Sequence, residues 1–191
     1  SFRSGSEVKV MSFIRTKDGF LTGLNTSVPT SGNHHYVYFL NPASNKNQES
    51  LVRVVNLGGS EVDVSIDAID DKGVSSTGST SLNLKPYEAK QLTATDLETG
   101  NAAKGLTGGL GKGSGKWQLD IFSSLDLAVI SMIRSKDGFL TNLSGVASKN
   151  LTNITELYYV NPASETVKKN FIRLINMGSQ SGTITIAGID D

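Results

Sequence analysis

The sequence predicts an all-β fold of antiparallel sandwich modules in tandem, one complete and two partial. Three observations carry this. Apolar and polar residues alternate along most of the chain, helical periodicity is nearly absent, and one phrase is written twice. TKDGFLTGL at Thr16–Leu24 returns as SKDGFLTNL at Ser135–Leu143, 119 residues later.

The complete unit opens with Tyr36–Leu40, followed by Leu51–Asn56, both apolar runs of strand length. Glu61–Ile69 sets Val62, Val64, Ile66 and Ala68 on one face and Glu61, Asp63, Ser65 and Asp67 on the other. That period of two marks a strand half-buried in an antiparallel sheet. Ser81–Leu84 and Ala89–Thr93 flank Lys85-Pro86-Tyr87-Glu88, where proline suits a turn. Thr93–Gly100 has room for one helical turn, with Thr95 as N-cap. Lys116–Ser123 points Trp117, Leu119 and Ile121 inward. Leu127–Arg134 and Phe139–Leu143 form a hairpin across Asp137-Gly138, since glycine accepts the positive φ of such turns. Eight short strands with Gly, Pro, Asn and Asp between them favour a sandwich, with a closed barrel as the alternative.

The repeat extends beyond the hairpin. Val10–Leu24 and Val129–Leu143 are identical at 11 of 15 positions. Tyr38–Ser44 recurs as Tyr158–Ser164, Leu51–Gly59 as Phe171–Ser179, and Ile66–Asp71 as Ile186–Asp191. Residues 1–24 are therefore expected to be closing strands of a preceding module, residues 36–143 a complete one, and residues 156–191 opening strands of a following one. A period of about 120 residues is the size of an autonomous domain, not of a solenoid repeat of about 20–50.

Composition narrows the function. Lys plus Arg number 18 against 18 Asp plus Glu, so no net charge draws the chain to nucleic acid or an anionic membrane. Apolar runs reach only a few residues, against the roughly 20 that a spanning helix needs. Cysteine is absent, which removes disulfides, thiolate nucleophiles and cysteine-based zinc sites. The first residue is Ser, and the chain reads as a piece of something longer or as a processed product.

Stretches with catalytic overtones fail on inspection. The run Gly105–Trp117 lacks the glycine and Ser/Thr spacing of a phosphate loop and is expected to be a long flexible loop. His34 and His35 lie in the connection ahead of the first strand, and their counterparts in the repeat are Ile154 and Thr155. No nucleophile elbow or acid–base set accompanies them, so the chain is expected not to be an enzyme. The acidic turns are the candidate metal site: Asp70, Asp71, Asp137 and Asp190 could supply oxygens to calcium, although aspartate also favours turns for backbone reasons. No other cofactor is expected. Arg53, inside an apolar strand, is expected either to snorkel to water or to pair with a strand-face acid such as Asp63 or Asp120.

RVVNLGGSEVDVSIDAIDDKG followed by LNLKPYEAKQL, within Leu51–Leu92, resembles bacterial immunoglobulin-like or fibronectin-like modules. NPASNKNQESLVRVVN and GLGKGSGKWQLDI are similar to repeats of large secreted or surface proteins. The resemblance implies an extracellular or cell-surface setting and a non-catalytic structural or adhesion role. The alternative is an accessory carbohydrate-binding module of a secreted hydrolase, which would need aromatics on one face: Tyr36, Tyr38, Tyr158 and Tyr159 are the candidates. Expected partners are neighbouring copies of the module, by strand complementation within or between chains, and a glycan or other cell-surface ligand.

Overall fold

The computed structural model describes residues 13–15, 17, 21–23, 32–144, 164, 171–176 and 178–188, with the side chains of 13 and 21–23 left aside. The chain divides into a unit at Ser1–Lys149 and a second at Asn150–Asp191.

The first unit is all-β. Strands β1 (Phe13–Arg15) and β2 (Leu21–Gly23) form a hairpin. Then follow β3 (His34–Leu40), β4 (Gln48–Asn56), β5 (Val62–Asp70), β6 (Thr80–Leu84), β7 (Ala89–Thr93), β8 (Leu106–Gly108), β9 (Trp117–Ser123), β10 (Leu127–Ser135) and β11 (Leu140–Asn142). One antiparallel sheet has the order β3-β9-β5-β6-β8 and the other β11-β10-β4-β7. All eight expected strands are present, and β8 is an addition.

Alternation decides which way each sheet faces. Val62, Val64, Ile66 and Ala68 of β5, Leu82 and Leu84 of β6, and Trp117, Leu119 and Ile121 of β9 are buried. They share a core with Val52 and Val54 of β4, Leu92 of β7 and Leu127 of β10. Each such side chain contributes about 1.5–3 kcal/mol by leaving water. A register shift between Val37 and Leu40 lets β3 bury both residues although they are three apart.

Between β7 and β8 the chain makes one helix, α1 (Ala94–Thr99). Its N-cap is Thr93 rather than Thr95: the Thr93 hydroxyl accepts from Asp96 N–H and the Asp96 carboxylate accepts from Thr93 N–H, a closed capping box. A 3₁₀ turn at Ala102–Lys104 follows.

The glycine-rich run is tied down rather than loose. Thr107 of β8 pairs with Ser81, Leu110 N–H donates to Leu97 C=O, and Thr77 N–H donates to Leu110 C=O. At Gly113 a Cβ would stand 2.5 Å from the Trp117 ring. Glycine is required there because the indole lies flat against the backbone. Trp117 is buried, and its ring N–H donates to Glu98 at 3.0 Å.

The doubled phrase is a doubled structure. In the β10–β11 hairpin Met132 faces Asn142, Ile133 faces Thr141 and Arg134 faces Leu140; in β1–β2 Phe13 faces Gly23, Ile14 faces Thr22 and Arg15 faces Leu21. The two registers coincide at a shift of 119 residues. In the second unit the Asn176 side chain accepts from Gly178 N–H at 2.9 Å and donates to Gln180 C=O at 2.7 Å. Asn56 makes the same pair of bonds with Gly58 (2.8 Å) and Ser60 (2.7 Å). Residues 171–176 and 178–188, within the segment expected to supply opening strands, take no strand conformation, and Phe171 and Ile186 are exposed. The counterparts of the strands that flank β4 and β5, namely β6, β7, β9 and β10, do not lie within 150–191.

A candidate binding face on the five-stranded sheet

Asp70 ends β5 and is buried at 5% exposure. One carboxylate oxygen accepts from Lys72 N–H (2.9 Å) and Val74 N–H (3.0 Å), and the other from Ser114 N–H (2.9 Å). These bonds, Ser114's foremost and then Val74's, hold its carboxyl below the usual range. Asp71 accepts from Lys116 N–H at 2.8 Å. Together they staple the glycine-rich segment to the end of β5. Asp137 lies exposed in the β10–β11 turn, in the other sheet, and lines an open polar groove of about 500 Å³ with Asn45, Asn47, Gln48, Ser135 and Lys136. Asp190 lies outside the described residues. Among the described residues no three His, Asp or Glu side chains are grouped to hold a metal ion.

Arg53 does not meet Asp63 or Asp120. It sits on the exposed side of β4, in the four-stranded sheet, whereas Asp63 and Asp120 lie on the outward side of the other. The core separates them. Asp63 instead accepts from the Asn83 amide at 3.0 Å, and Asp120 pairs with His34.

The side chains that converge are on that same outward side. His34 and His35 are part of β3, not of a connection, because both pair with β9. His34, Tyr36 and Tyr38 project together at alternate positions. The His34 and Tyr36 ring centroids are 4.8 Å apart, and Tyr36 stacks on Tyr38 at 6.0 Å and 18°. Phe122, the register partner of His34, meets it edge-on at 6.0 Å. Beyond the register shift Phe39 also turns outward, with the Lys116 ammonium 5.3 Å from its ring centre. A row of rings thus follows the edge strand, and Tyr36 (45%) and Phe122 (49%) stay open to water. Burial, and then the neighbouring Tyr36, push the Tyr38 phenol above its ordinary pKa, so it remains a neutral hydroxyl donor.

Carboxylates border this row. Asp120 is the register partner of Tyr36 on one side and of Asp67 on the other. Two like charges directly opposite in a sheet are unfavourable by a few tenths to about 1 kcal/mol. His34 offsets part of that for Asp120. Ser65, Ser81 and Thr107 extend the polar surface across β5, β6 and β8.

No protein-family model, curated protein or solved structure matches the chain. The chemistry of the face therefore has to be read from its own groups: flat π surfaces, neutral hydroxyls and carboxylate acceptors on an open sheet. Alternation alone puts His34, Tyr36 and Tyr38 on one side. Phe122 and Asp120 join them only through the non-local β3–β9 pairing. Tyr158 and Tyr159, the other aromatic candidates, lie outside the described residues.

Proposed function

We propose that the chain is a non-catalytic stretch of tandem immunoglobulin-like sandwich modules from a secreted or cell-surface bacterial protein, serving in adhesion. The observation that carries this reading is that the repeat specifies scaffold. The hairpin register and the Asn56/Asn176 turn lock recur, and both are features of backbone pairing and turn geometry. The natural partners are other copies of the module, through strand complementation between chains, because the exposed apolar residues Phe171, Leu174, Ile184 and Ile186 correspond to buried positions of β4 and β5. Size-exclusion chromatography with light scattering over a concentration range tests this. Association that grows with concentration is expected, and a monomer at every concentration refutes complementation between chains.

A second reading, an accessory carbohydrate-binding module, is favoured by one specific observation, the exposed row Tyr38–Tyr36–His34–Phe122 beside Asp120. Exposed aromatic faces stack on the C–H faces of sugar rings, and carboxylates accept from their hydroxyls.

A further inference from the structure

The charge of the whole chain is balanced, but it is not evenly spread. The five strands of the larger sheet contain no Lys and no Arg, while Asp63, Asp67 and Asp120 all project from its outward side. The smaller sheet carries Arg53, Lys90 and Arg134. Lys116, at the margin of the larger sheet, sits over the Phe39 ring. Asp67 and Asp120 face each other across β5 and β9, and the side chain that pairs with Asp120 is a histidine. The face is therefore an aromatic row bordered by an acidic pair, of which Asp120 is engaged by His34.

Such a surface discriminates by charge. An anionic polymer would meet three carboxylates. A ligand that presents an ammonium group can place it between Asp67 and Asp120 and over the Tyr36 ring, where charge pairing and cation–π attraction act together. The rings form a row along the strand, with His34 tilted 40° to Tyr36 at 4.8 Å and Tyr36 stacked on Tyr38 at 6.0 Å, not a cage. A row of that kind fits a chain of ring-shaped units better than a single small amine. We propose that the outward face of the five-stranded sheet binds a polysaccharide of amino sugars through its free ammonium groups, with Tyr36, Tyr38 and Phe122 stacking on the sugar rings and Asp67 and Asp120 receiving the cations. This rests on the carbohydrate-binding reading and adds the class of sugar.

The test uses the full chain in isothermal titration at low salt and mildly acidic pH, with soluble oligomers of glucosamine, of N-acetylglucosamine and of a uronic acid, and with a lysine oligomer of equal length. Binding is expected for the glucosamine oligomer, weaker by about tenfold for the N-acetylated one, the factor that about 1.4 kcal/mol supplies, and absent for the uronic acid. Tyr36→Ala and Asp67→Asn should each weaken glucosamine binding by about tenfold, and raising salt should weaken it further. Both positions are exposed, and an unchanged Tm confirms that the variants fold. Lys116→Ala should leave binding intact. Equal affinity for the N-acetylated oligomer overturns the amino-sugar assignment and leaves the carbohydrate reading standing. Equal affinity for the lysine oligomer overturns it in favour of a basic peptide. No binding to any sugar overturns both the inference and the carbohydrate reading, and glucosamine binding that ignores Tyr36→Ala and Asp67→Asn overturns the location.

Discussion

Asp96→Asn gives the sharpest energetic test of the fold. The Asp96 carboxylate sits at the start of α1, 10% exposed, and accepts from three donors: the Lys104 ammonium (2.6 Å), the Asn101 amide (2.6 Å) and Thr93 N–H (2.8 Å). Burial by itself would raise its pKa. The bonds from Lys104, Thr93 and Asn101 override that and bring it from 3.8 to about 2. At about 1.36 kcal/mol per pKa unit, the ionised form contributes about 2 kcal/mol to folding. Asparagine keeps the shape but has one acceptor oxygen for three donors, and its own amide hydrogens then point at donors. A loss of about 2 kcal/mol is expected at neutral pH, a shift of about 1 M in urea midpoint for a slope near 2 kcal/mol/M.

The pH dependence separates this account from a packing defect. The folded-state pKa lies below the unfolded one, so on acidification the unfolded chain takes up the proton first. The stabilisation is thus fully present above about pH 4 and fades as pH falls toward about 2. Urea titrations of both proteins across that window should show their difference shrinking toward zero. A difference that stays constant to the acid end would refute the electrostatic assignment. A difference below about 0.5 kcal/mol at neutral pH would refute the role of the cluster altogether. Lys104→Met, alone and combined with Asp96→Asn, should give strongly non-additive losses.

Three further outcomes follow from other contacts. Gly113→Ala drives a methyl into the buried Trp117 ring, whose nearest atoms stand at 2.5 and 2.6 Å; it should cost about 1–3 kcal/mol and shift the emission of this single tryptophan, and unchanged fluorescence and stability would contradict the packing. Asn56→Ala removes a fully buried side chain and strips Gly58 N–H, Ser60 C=O and Lys85 C=O of their partner, and should cost about 2–3 kcal/mol. Asn176→Ala removes the same local turn bonds on an exposed segment and should stay within about 0.5 kcal/mol; equal losses at the two sites would show that burial is not what matters. Calcium should leave Tm unchanged, because the Asp70 oxygens already accept from Lys72, Val74 and Ser114 N–H, whereas a rise that grows with calcium concentration would make the aspartates ligands.

The strands were legible where local pattern and burial agree. β5 alternates without a break, and each of its inward residues is buried. The three-residue strand β8 was not legible, because glycine dominates its surroundings and only pairing with β6 makes it a strand. The N-cap shifted from Thr95 to Thr93 because Asp96, three residues after Thr93, closes a capping box with it, whereas Glu98, three residues after Thr95, accepts from Ala43 N–H and the Trp117 ring N–H instead. His34 and His35 read as a loop because their side chains are polar. They extend β3 because Phe122 and Ile121 of β9 stand opposite them. The candidate face was half legible: parity groups the β3 aromatics, but its acidic border depends on which strand becomes the neighbour. Likewise, Phe39 joins the row only because β3 shifts register at that point.

The repeat separates what folds the module from what a given copy offers its surroundings. The turn asparagines Asn56 and Asn176 make the same bonds, and the two hairpins share one register. The inward Val64 and Ile66 correspond to Ile184 and Ile186, substitutions that preserve an apolar strand face. The outward row behaves differently: Tyr38 corresponds to Tyr158, but His34 corresponds to Ile154, Tyr36 to Glu156 and Asp63 to Thr183. A structural role alone would place no such demand on the outward face, and an exposed ring gains little stability from staying in water. An aromatic row beside carboxylates in one copy, on a scaffold otherwise repeated, is what a specialised binding surface built on a generic module would contain. The repeated residues should therefore govern stability and the unrepeated ones recognition, so that variants of Tyr36 and Asp67 change binding without moving Tm while variants of Asn56 do the reverse.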